Sequence, residues 1–234
     1  MWSAHDGDKV SDRKLRAVFF DLGGTLVRTG DPAETHRRIL EAHGLKFPYA
    51  EVAQAHKKNK EEHDAREMAK RPREYWIKWN LRLLKQLGVQ GNKAFLAKRI
   101  DEVWNDYFHV ELYQDVMETL DRLKDKQIKL GIVTNGLERE VQEILDKFGL
   151  TGYFDAIVGV DACGKAKPDT AIFLYAVEKL NARPEEAIFI GDSFQYDYEG
   201  ARRAGLKPLL LSREGNPPAK AQTINSLSET LKFF

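Results

Sequence analysis

Three aspartates lie at the ends of apolar runs, where carboxylates can bind a cation. Asp21 follows the run AVFF and precedes two glycines, while Asp192 and Asp197 lie in IFIGDSFQYD. Three carboxylates in one partly desolvated place repel one another, so at neutral pH they need a cation or raised pKa values. Hard carboxylate oxygens suit Mg²⁺, which keeps positions for water and a phosphoryl oxygen. Zinc is disfavoured because neither segment contains Cys or His.

Hydroxyl, amide and lysine side chains follow the other apolar runs. Thr25 comes shortly after the first acid, Thr134 and Asn135 end LGIVTNG, and Lys165 and Lys167 lie in CGKAKPD. Each has an ordinary alternative role, as a helix cap or a solvated lysine. Four such endings in one sheet are less easily explained in this way, so together they favour a single polar crevice.

The apolar runs themselves predict strands of a parallel sheet. Residues 17–20 are too few for a typical helix, and from Asp115 onwards strands alternate with helices. We therefore expect an α/β fold with a doubly wound parallel sheet, whose ligand crevice lies past the carboxyl ends of the strands. The other predicted strands are IKLGIVTN, FDAIVGV, EEAIFIGDS and LKPLLLS.

A long stretch of helical periodicity, without a convincing strand, separates the first strand from the others. We predict helices near residues 32–43, 49–70, 74–87 and 92–108. Segments 28–31 and 110–115 would be hinges that let this insertion close over the crevice. The predicted organisation is a flexible arm (1–14), an α/β core (15–28 and 113–234) and an all-helical cap (29–112).

The composition excludes several classes of protein. Lys and Arg number 37 against 36 Asp and Glu, so the net charge of +1 gives no indication of nucleic acid or a membrane as a partner. The single cysteine, Cys163, excludes an intramolecular disulfide and a cysteine-based zinc site. No apolar run has membrane-spanning length, and the polar N-terminus does not resemble a signal peptide. We expect a cytoplasmic monomer or homodimer.

The motifs FFDLGGTLV, IVTNG, KPD and GDSFQYD, in this order and spacing, resemble the four signature motifs of the haloacid dehalogenase superfamily. Most members of that superfamily are Mg²⁺-dependent phosphatases with a Rossmann-like core. The resemblance covers the predicted core, and the helical insertion resembles the cap of one large subgroup. It implies a small phosphorylated substrate and Mg²⁺ as the cofactor.

The resemblance also implies a role for each matching residue. Asp21 would be the nucleophile that becomes an aspartyl-phosphate, and Thr134 and Lys167 would stabilise the transferring phosphoryl group. Further contacts to the phosphoryl group would come from Gly24, Thr25, Asn135 and Gly136. The metal ligands would be Asp21, the Gly23 carbonyl and Asp192, with Asp197 as a further ligand or an anchor behind them.

Residue 23 departs from the phosphatase pattern, which has a second Asp two residues after the nucleophile. Gly23 can offer a carbonyl to a metal but cannot transfer a proton. General acid–base catalysis typically contributes about 10²–10⁴-fold, so we expect slow turnover or selectivity for good leaving groups. A replacement base from the cap would be a histidine, and the candidates are His36, His56, His63 and His109.

Two other functions stay open at this stage. Dehalogenase-like members also lack this Asp, but their reaction needs no metal, which the acidic GDSFQYD segment argues against. A catalytically silent member would bind a phosphorylated ligand or a protein. The cap segment around Trp76 could present an aromatic and cationic face to the crevice or simply pack the cap; its other members are Arg71, Arg73, Tyr75 and Trp79.

Overall fold

The structure is a computed structural model that describes residues 14–213 and 217–234, so residues 1–13 of the predicted arm lie outside it. Six strands form one sheet in the order β5-β4-β1-β6-β7-β8, and every neighbouring pair is parallel. The strands of the described residues are β1 (Ala17–Phe20), β2 (Val27–Thr29), β3 (Val110–Leu112), β4 (Lys129–Val133), β5 (Ala156–Val158), β6 (Ala187–Gly191), β7 (Lys207–Leu211) and β8 (Thr223–Ile224). The predicted parallel α/β sheet is confirmed, with the two-residue β8 as an unpredicted sixth strand.

α-Helices cover both faces of this sheet, and others form an insertion between β2 and β3. In the described part of the chain they are α1 (Pro32–Ala42), α2 (Tyr49–Glu61), α3 (Ala65–Lys70), α4 (Pro72–Gln86), α5 (Lys93–Tyr107), α6 (Val116–Asp125), α7 (Glu138–Lys147), α8 (Val160–Cys163), α9 (Thr170–Lys179) and α10 (Glu199–Arg203). No helix in these ranges combines the length and apolar character needed to cross a bilayer.

Strand β1 is central because both of its faces are buried. Val18 and Phe20 point into a core formed with α6 and α7, whereas Ala17 and Phe19 point into a second core formed with α9 and α10. Successive side chains of a strand alternate between faces, so an uninterrupted apolar run is required when helices cover both. This double burial holds the chain rigidly up to the residue that follows Phe20.

The insertion, α1 to α5, has its own apolar core around Leu40, Leu83 and Ile100. The helix predicted over residues 49–70 is wrong as a single element, because the chain turns between α2 and α3. Asp64 accepts a hydrogen bond from the Glu67 N–H at 3.2 Å and thereby begins α3. Such a local side-chain cap competes with helix continuation.

The two segments predicted as hinges each include residues of a short strand. Strands β2 and β3 pair with each other in an antiparallel ribbon, with Arg28 opposite Glu111. Each strand has three residues, too few for a periodic signal, and the partners are far apart in the sequence. The two connections to the insertion therefore pair with one another.

The insertion also packs on the sheet side of the molecule. Met68, Tyr75 and Trp79 of α3 and α4 form a buried apolar cluster with Val160 and Ala166, which follow β5. At a second contact, Asn105 of α5 donates a hydrogen bond to Glu143 of α7. The predicted aromatic face is thus mainly an interface between the insertion and the α/β part.

Candidate active site

Asp21 lies in a tight turn immediately after β1. Its N–H donates to the Ile190 carbonyl at 2.9 Å, which continues the β1–β6 pairing. The Leu22 carbonyl then accepts the N–H groups of Leu26 and Val27, at 2.9 and 3.0 Å. These bonds close the turn and hold the Asp21 carboxyl at the carboxyl edge of the sheet.

Lys167 joins two of the predicted aspartates. Its Nζ lies 2.6 Å from Asp21 Oδ1 and 2.6 Å from Asp197 Oδ1. The three side chains are at most 11% exposed, so these ion pairs are shielded from water. The other carboxylate oxygen of Asp197 accepts the Ser193 N–H at 2.9 Å, which leaves Asp197 with a protein donor on each oxygen.

The segment after β6 brings Asp197 into this position through a π-helical turn over Phe194–Tyr198. Turns of this type are rare and often occur at functional sites. Gly191 allows the close approach, because a Cβ there would lie only 2.5 Å from the Cβ of Asp197. The strand end and the turn are therefore matched to one another.

The electrostatics of this group are dominated by excess negative charge. Burial raises the pKa of Asp21 to about 7; Lys167 opposes this rise, and the carboxylates of Asp197 and Asp192 add to it. Burial disfavours the charge on Lys167, but the two aspartates outweigh that effect and raise its pKa. Partial burial and Asp197 likewise raise the pKa of Asp192. One lysine against three carboxylates leaves two negative charges unbalanced.

The donor set fits a hard divalent cation. One oxygen from each of Asp21, Asp192 and Asp197 lies within 4.8 Å of the others. Asp197 already has donors on both oxygens, whereas Asp192 is exposed and its carboxylate faces Gly24. Oxygen ligands with access to water are those that Mg²⁺ prefers. Asp21 and Asp192 are thus better placed than Asp197 for direct contact with a metal.

Two adjacent glycines in the turn differ in what they require. Gly24 has φ +80°, and a Cβ there would lie 2.7 Å from the carboxyl carbon of Asp192. Gly23 lies outside the left-handed region, and a Cβ on it would touch only the Thr29 methyl group, at 3.4 Å. The backbone therefore needs glycine at position 24 but would accept a side chain at position 23.

The loop after β4 holds the predicted phosphoryl-binding residues. Thr134 is buried, and its Oγ1 accepts the Gly136 N–H at 3.2 Å. The Asn135 side chain donates to the Lys167 carbonyl at 3.0 Å and accepts the Lys167 N–H at 2.7 Å. This reciprocal pair ties the two loops together, a positioning role for Asn135 that the sequence did not indicate.

Thr25 and its surroundings reveal residues that the sequence analysis missed. Thr25 is fully buried; its carbonyl accepts a hydrogen bond from Arg213 at 2.9 Å, and its hydroxyl has no protein partner among the described residues. Arg213 also forms a bidentate ion pair with Asp115, at 3.1 and 2.9 Å. Both residues stand in segments without a chemical motif, so no local signal could have identified this pair.

The remaining candidates lie elsewhere. Lys165 pairs with Asp169 at 3.6 Å on the surface, and Arg71 and Arg73 form exposed ion pairs with Glu74 and Asp101. The histidines named as candidate bases make their hydrogen bonds and ring contacts with groups other than Asp21. These candidates are His36, His56, His63 and His109.

A cavity of about 660 Å³ opens on the Asp192 side of the site. Its lining includes two arginines and two aromatic side chains next to the turn that carries Asp21. The residues that line it include Gly24, Arg28, Tyr113, Asp192, Phe194 and Arg213. The Asp192 edge of the crevice is thus accessible, whereas Lys167 is buried.

Comparison with known proteins agrees with this geometry. The family model for haloacid dehalogenase-like hydrolases matches residues 15–205. Glyceraldehyde 3-phosphate phosphatase of Methanopyrus kandleri is 30% identical over 211 residues, which cover 85% of this chain and 84% of that protein. Phosphoglycolate phosphatase of Aquifex aeolicus is 41% identical over 106 residues, 45% of this chain and 49% of that protein.

A solved structure is similar to this one over almost the whole chain. The HAD phosphatase from Thermococcus onnurineus has 25% sequence identity and a TM-score of 0.63, and the match covers 93% of this chain and 97% of that one. The family model by itself spans well over half of the residues. The chain therefore belongs to the haloacid dehalogenase-like hydrolases, as a phosphatase-like member.

Proposed function

We propose that this protein is a Mg²⁺-dependent phosphohydrolase that acts on a small phosphorylated molecule. The observation that carries the proposal is the buried Asp21 carboxyl, held by Lys167 at 2.6 Å beside Asp192. A relative of similar length is named for glyceraldehyde 3-phosphate, and a partial match for phosphoglycolate. We therefore favour phosphate esters of short sugars or hydroxy acids as substrates.

In this proposal, Asp21 attacks phosphorus with one carboxylate oxygen and becomes an aspartyl-phosphate. Lys167 holds the nucleophile in place and neutralises charge that grows on the phosphoryl oxygens. Thr134 donates its hydroxyl hydrogen to the same group, and N–H groups of the Gly24 and Asn135–Gly136 segments complete the cradle. Water then hydrolyses the acyl-phosphate and restores Asp21.

Mg²⁺ would be held by Asp21, the Gly23 carbonyl and Asp192, with Asp197 acting as an anchor through Lys167 and Ser193. When bound, it would neutralise charge on the phosphoryl oxygens as a Lewis acid. The helical insertion, residues 29–112, would serve as the lid that excludes water and selects the substrate. The cluster around Trp79 and Val160 supports such a lid, because it seats α3 and α4 beside the loop that carries Lys167.

The first test is hydrolysis of p-nitrophenyl phosphate with Mg²⁺ and with EDTA. We expect metal-dependent turnover that Asp21→Asn abolishes. Gly23→Asp should accelerate turnover of alkyl phosphates, because the site has room for the side chain. Gly23→Asn is the matched control, since it has nearly the same size and cannot transfer the proton. Wild-type protein that releases no p-nitrophenol, or releases halide from a haloacid instead, would contradict the proposal.

A further inference from the structure

Glu140 lies at the edge of the predicted phosphoryl site. It belongs to the first turn of α7, which follows the Thr134–Gly136 loop directly. A Cβ on Gly136 would be 3.4 Å from Glu140 Oε2 and 3.7 Å from Thr134 Oγ1. Both oxygens therefore face the space that the glycine leaves open, and each lies within 3.7 Å of the same Cβ position. The Glu140 carboxyl group and the Thr134 hydroxyl thus lie on the same side of the loop.

The surroundings of Glu140 raise the pKa of its carboxyl group. Its pKa is raised first by burial, and Asp101 of α5 and Glu143 of α7 raise it further. The Leu137 N–H, which donates to Oε2 at 3.2 Å, and the Arg139 guanidinium oppose this rise. A carboxyl group whose pKa is shifted toward neutrality is suited to general acid–base catalysis.

Other groups in the described ranges are less suitable for this task. The carboxylates nearest to Asp21 are those of the acidic cluster, which are engaged with Lys167 or available to a metal. The cap histidines that could act as bases make their contacts within the helical insertion or with Glu111. Glu140 combines a position beside the Thr134 loop with a carboxyl group that can give and accept a proton.

On the basis of the proposed phosphohydrolase function, we propose that Glu140 is the acid–base residue that replaces the Asp missing at position 23. As Asp21 bonds to phosphorus and the ester P–O bond breaks, protonated Glu140 gives its proton to the leaving oxygen, directly or through one water, and an alcohol departs. The Glu140 carboxylate then takes a proton from the water that attacks phosphorus. The P–O bond to Asp21 breaks, inorganic phosphate leaves, and Glu140 is again protonated.

The test compares Glu140→Gln with wild type on two substrates in Mg²⁺. A glutamine oxygen can still accept the Leu137 N–H, so the start of α7 is retained. For glycerol 2-phosphate, a poor leaving group, we expect kcat/KM to fall by about 10²-fold or more. For p-nitrophenyl phosphate, which needs no acid, the fall should be only a few-fold. The ratio of wild-type to variant kcat/KM on glycerol 2-phosphate should decrease as pH rises, because wild-type Glu140 loses its proton.

Two controls separate proton transfer from a structural role. Glu138→Gln changes a carboxyl group in the same turn whose pKa is also raised, by burial and Asp161, and should leave both activities within about two-fold. Gly23→Asp should restore glycerol 2-phosphate hydrolysis in the Glu140→Gln background. Equal losses on both substrates, or no loss on either, would overturn the assignment of Glu140 alone. Wild-type protein inactive on both substrates would overturn the phosphohydrolase function and this inference with it.

Discussion

Gly24 and Asp192 are in direct contact across the mouth of the site: a Cβ on the glycine would lie 2.7 Å from the carboxyl carbon of the aspartate. The contact joins the turn after β1 to the end of β6. It sets the distance between the two carboxylates that we propose as direct metal ligands, Asp21 and Asp192. The spacing of the site is thus determined by the absence of a side chain.

Gly24→Ala should therefore weaken metal binding more than it weakens the fold. The left-handed φ costs an L-residue about 1–2 kcal/mol, and the new methyl group forces the Asp192 carboxylate to move. We expect the Mg²⁺ concentration for half-maximal activity to rise at least about ten-fold, which corresponds to about 1.4 kcal/mol of binding free energy. Gly149→Ala, at a glycine that also has a left-handed φ (+67°) but open space around its Cβ, is the control and should leave the Mg²⁺ requirement unchanged. A similar rise in the Mg²⁺ requirement of both variants would contradict a role for the contact between Gly24 and Asp192.

Lys167→Met should be strongly destabilising at neutral pH. Removal of the ammonium group leaves Asp21 and Asp197 buried and unpaired, and breaking such a pair typically costs about 3–5 kcal/mol. The loss of unfolding free energy, measured in urea, should shrink at pH 5, where the carboxylates can take up protons. Lys165→Met removes an exposed pair with Asp169 and should cost less than about 1 kcal/mol. Equal costs for both variants would show that the buried ion pairs contribute little.

The metal-free protein should lose stability as pH rises. Burial raises the pKa of folded Asp21 to about 7 from 3.8, so its contribution to stability is complete below about pH 4 and disappears as the pH passes about 7. In EDTA at pH 8, Asp21→Asn should therefore melt several degrees above wild type, and the difference should narrow at pH 5. Mg²⁺ should raise the Tm of wild type at pH 8 and have little effect on the variant. A Tm difference between the two proteins that stays constant across this pH range would refute the raised pKa of Asp21.

Arg213 and Asp115 should behave as one structural unit. The guanidinium group contacts both carboxylate oxygens and the Thr25 carbonyl, and it lies 3.7 Å from the centre of the Tyr113 ring. Arg213→Lys loses the planar fork, so we expect the free energy of unfolding to fall by about 1.5–3 kcal/mol.

A double-mutant cycle with Asp115→Asn would check this coupling in urea, where the double variant should lose less than the two single losses added together. Arg202→Lys, in an exposed pair with Glu199, is the control and should change stability by less than about 0.5 kcal/mol. Additive losses in the cycle would contradict a shared role for Arg213 and Asp115.

Local sequence patterns were sufficient to predict the overall architecture. The short apolar run of β1 and the regular alternation of strands and helices after Asp115 predicted the parallel sheet, because burial on both faces imposes an uninterrupted apolar run. The order and spacing of the motifs also indicated that Asp21, Lys167 and Asp192 belong to one site. In each of these cases the information lies in short segments and in their order along the chain.

Contacts between distant segments were decided only by the tertiary structure. The β2–β3 ribbon, the Arg213–Asp115 pair and the tie between Asn135 and Lys167 each join residues more than 30 positions apart, and none has a sequence pattern of its own. The break between α2 and α3 depends partly on Asp64, whose N–H donates a hydrogen bond to the Tyr75 hydroxyl of α4. The position of Glu140 beside Thr134 likewise results from how α7 leaves its loop. Periodicity and motifs record what a segment buries and what chemistry it carries, whereas the partner of each polar group depends on which surfaces the folded chain brings together.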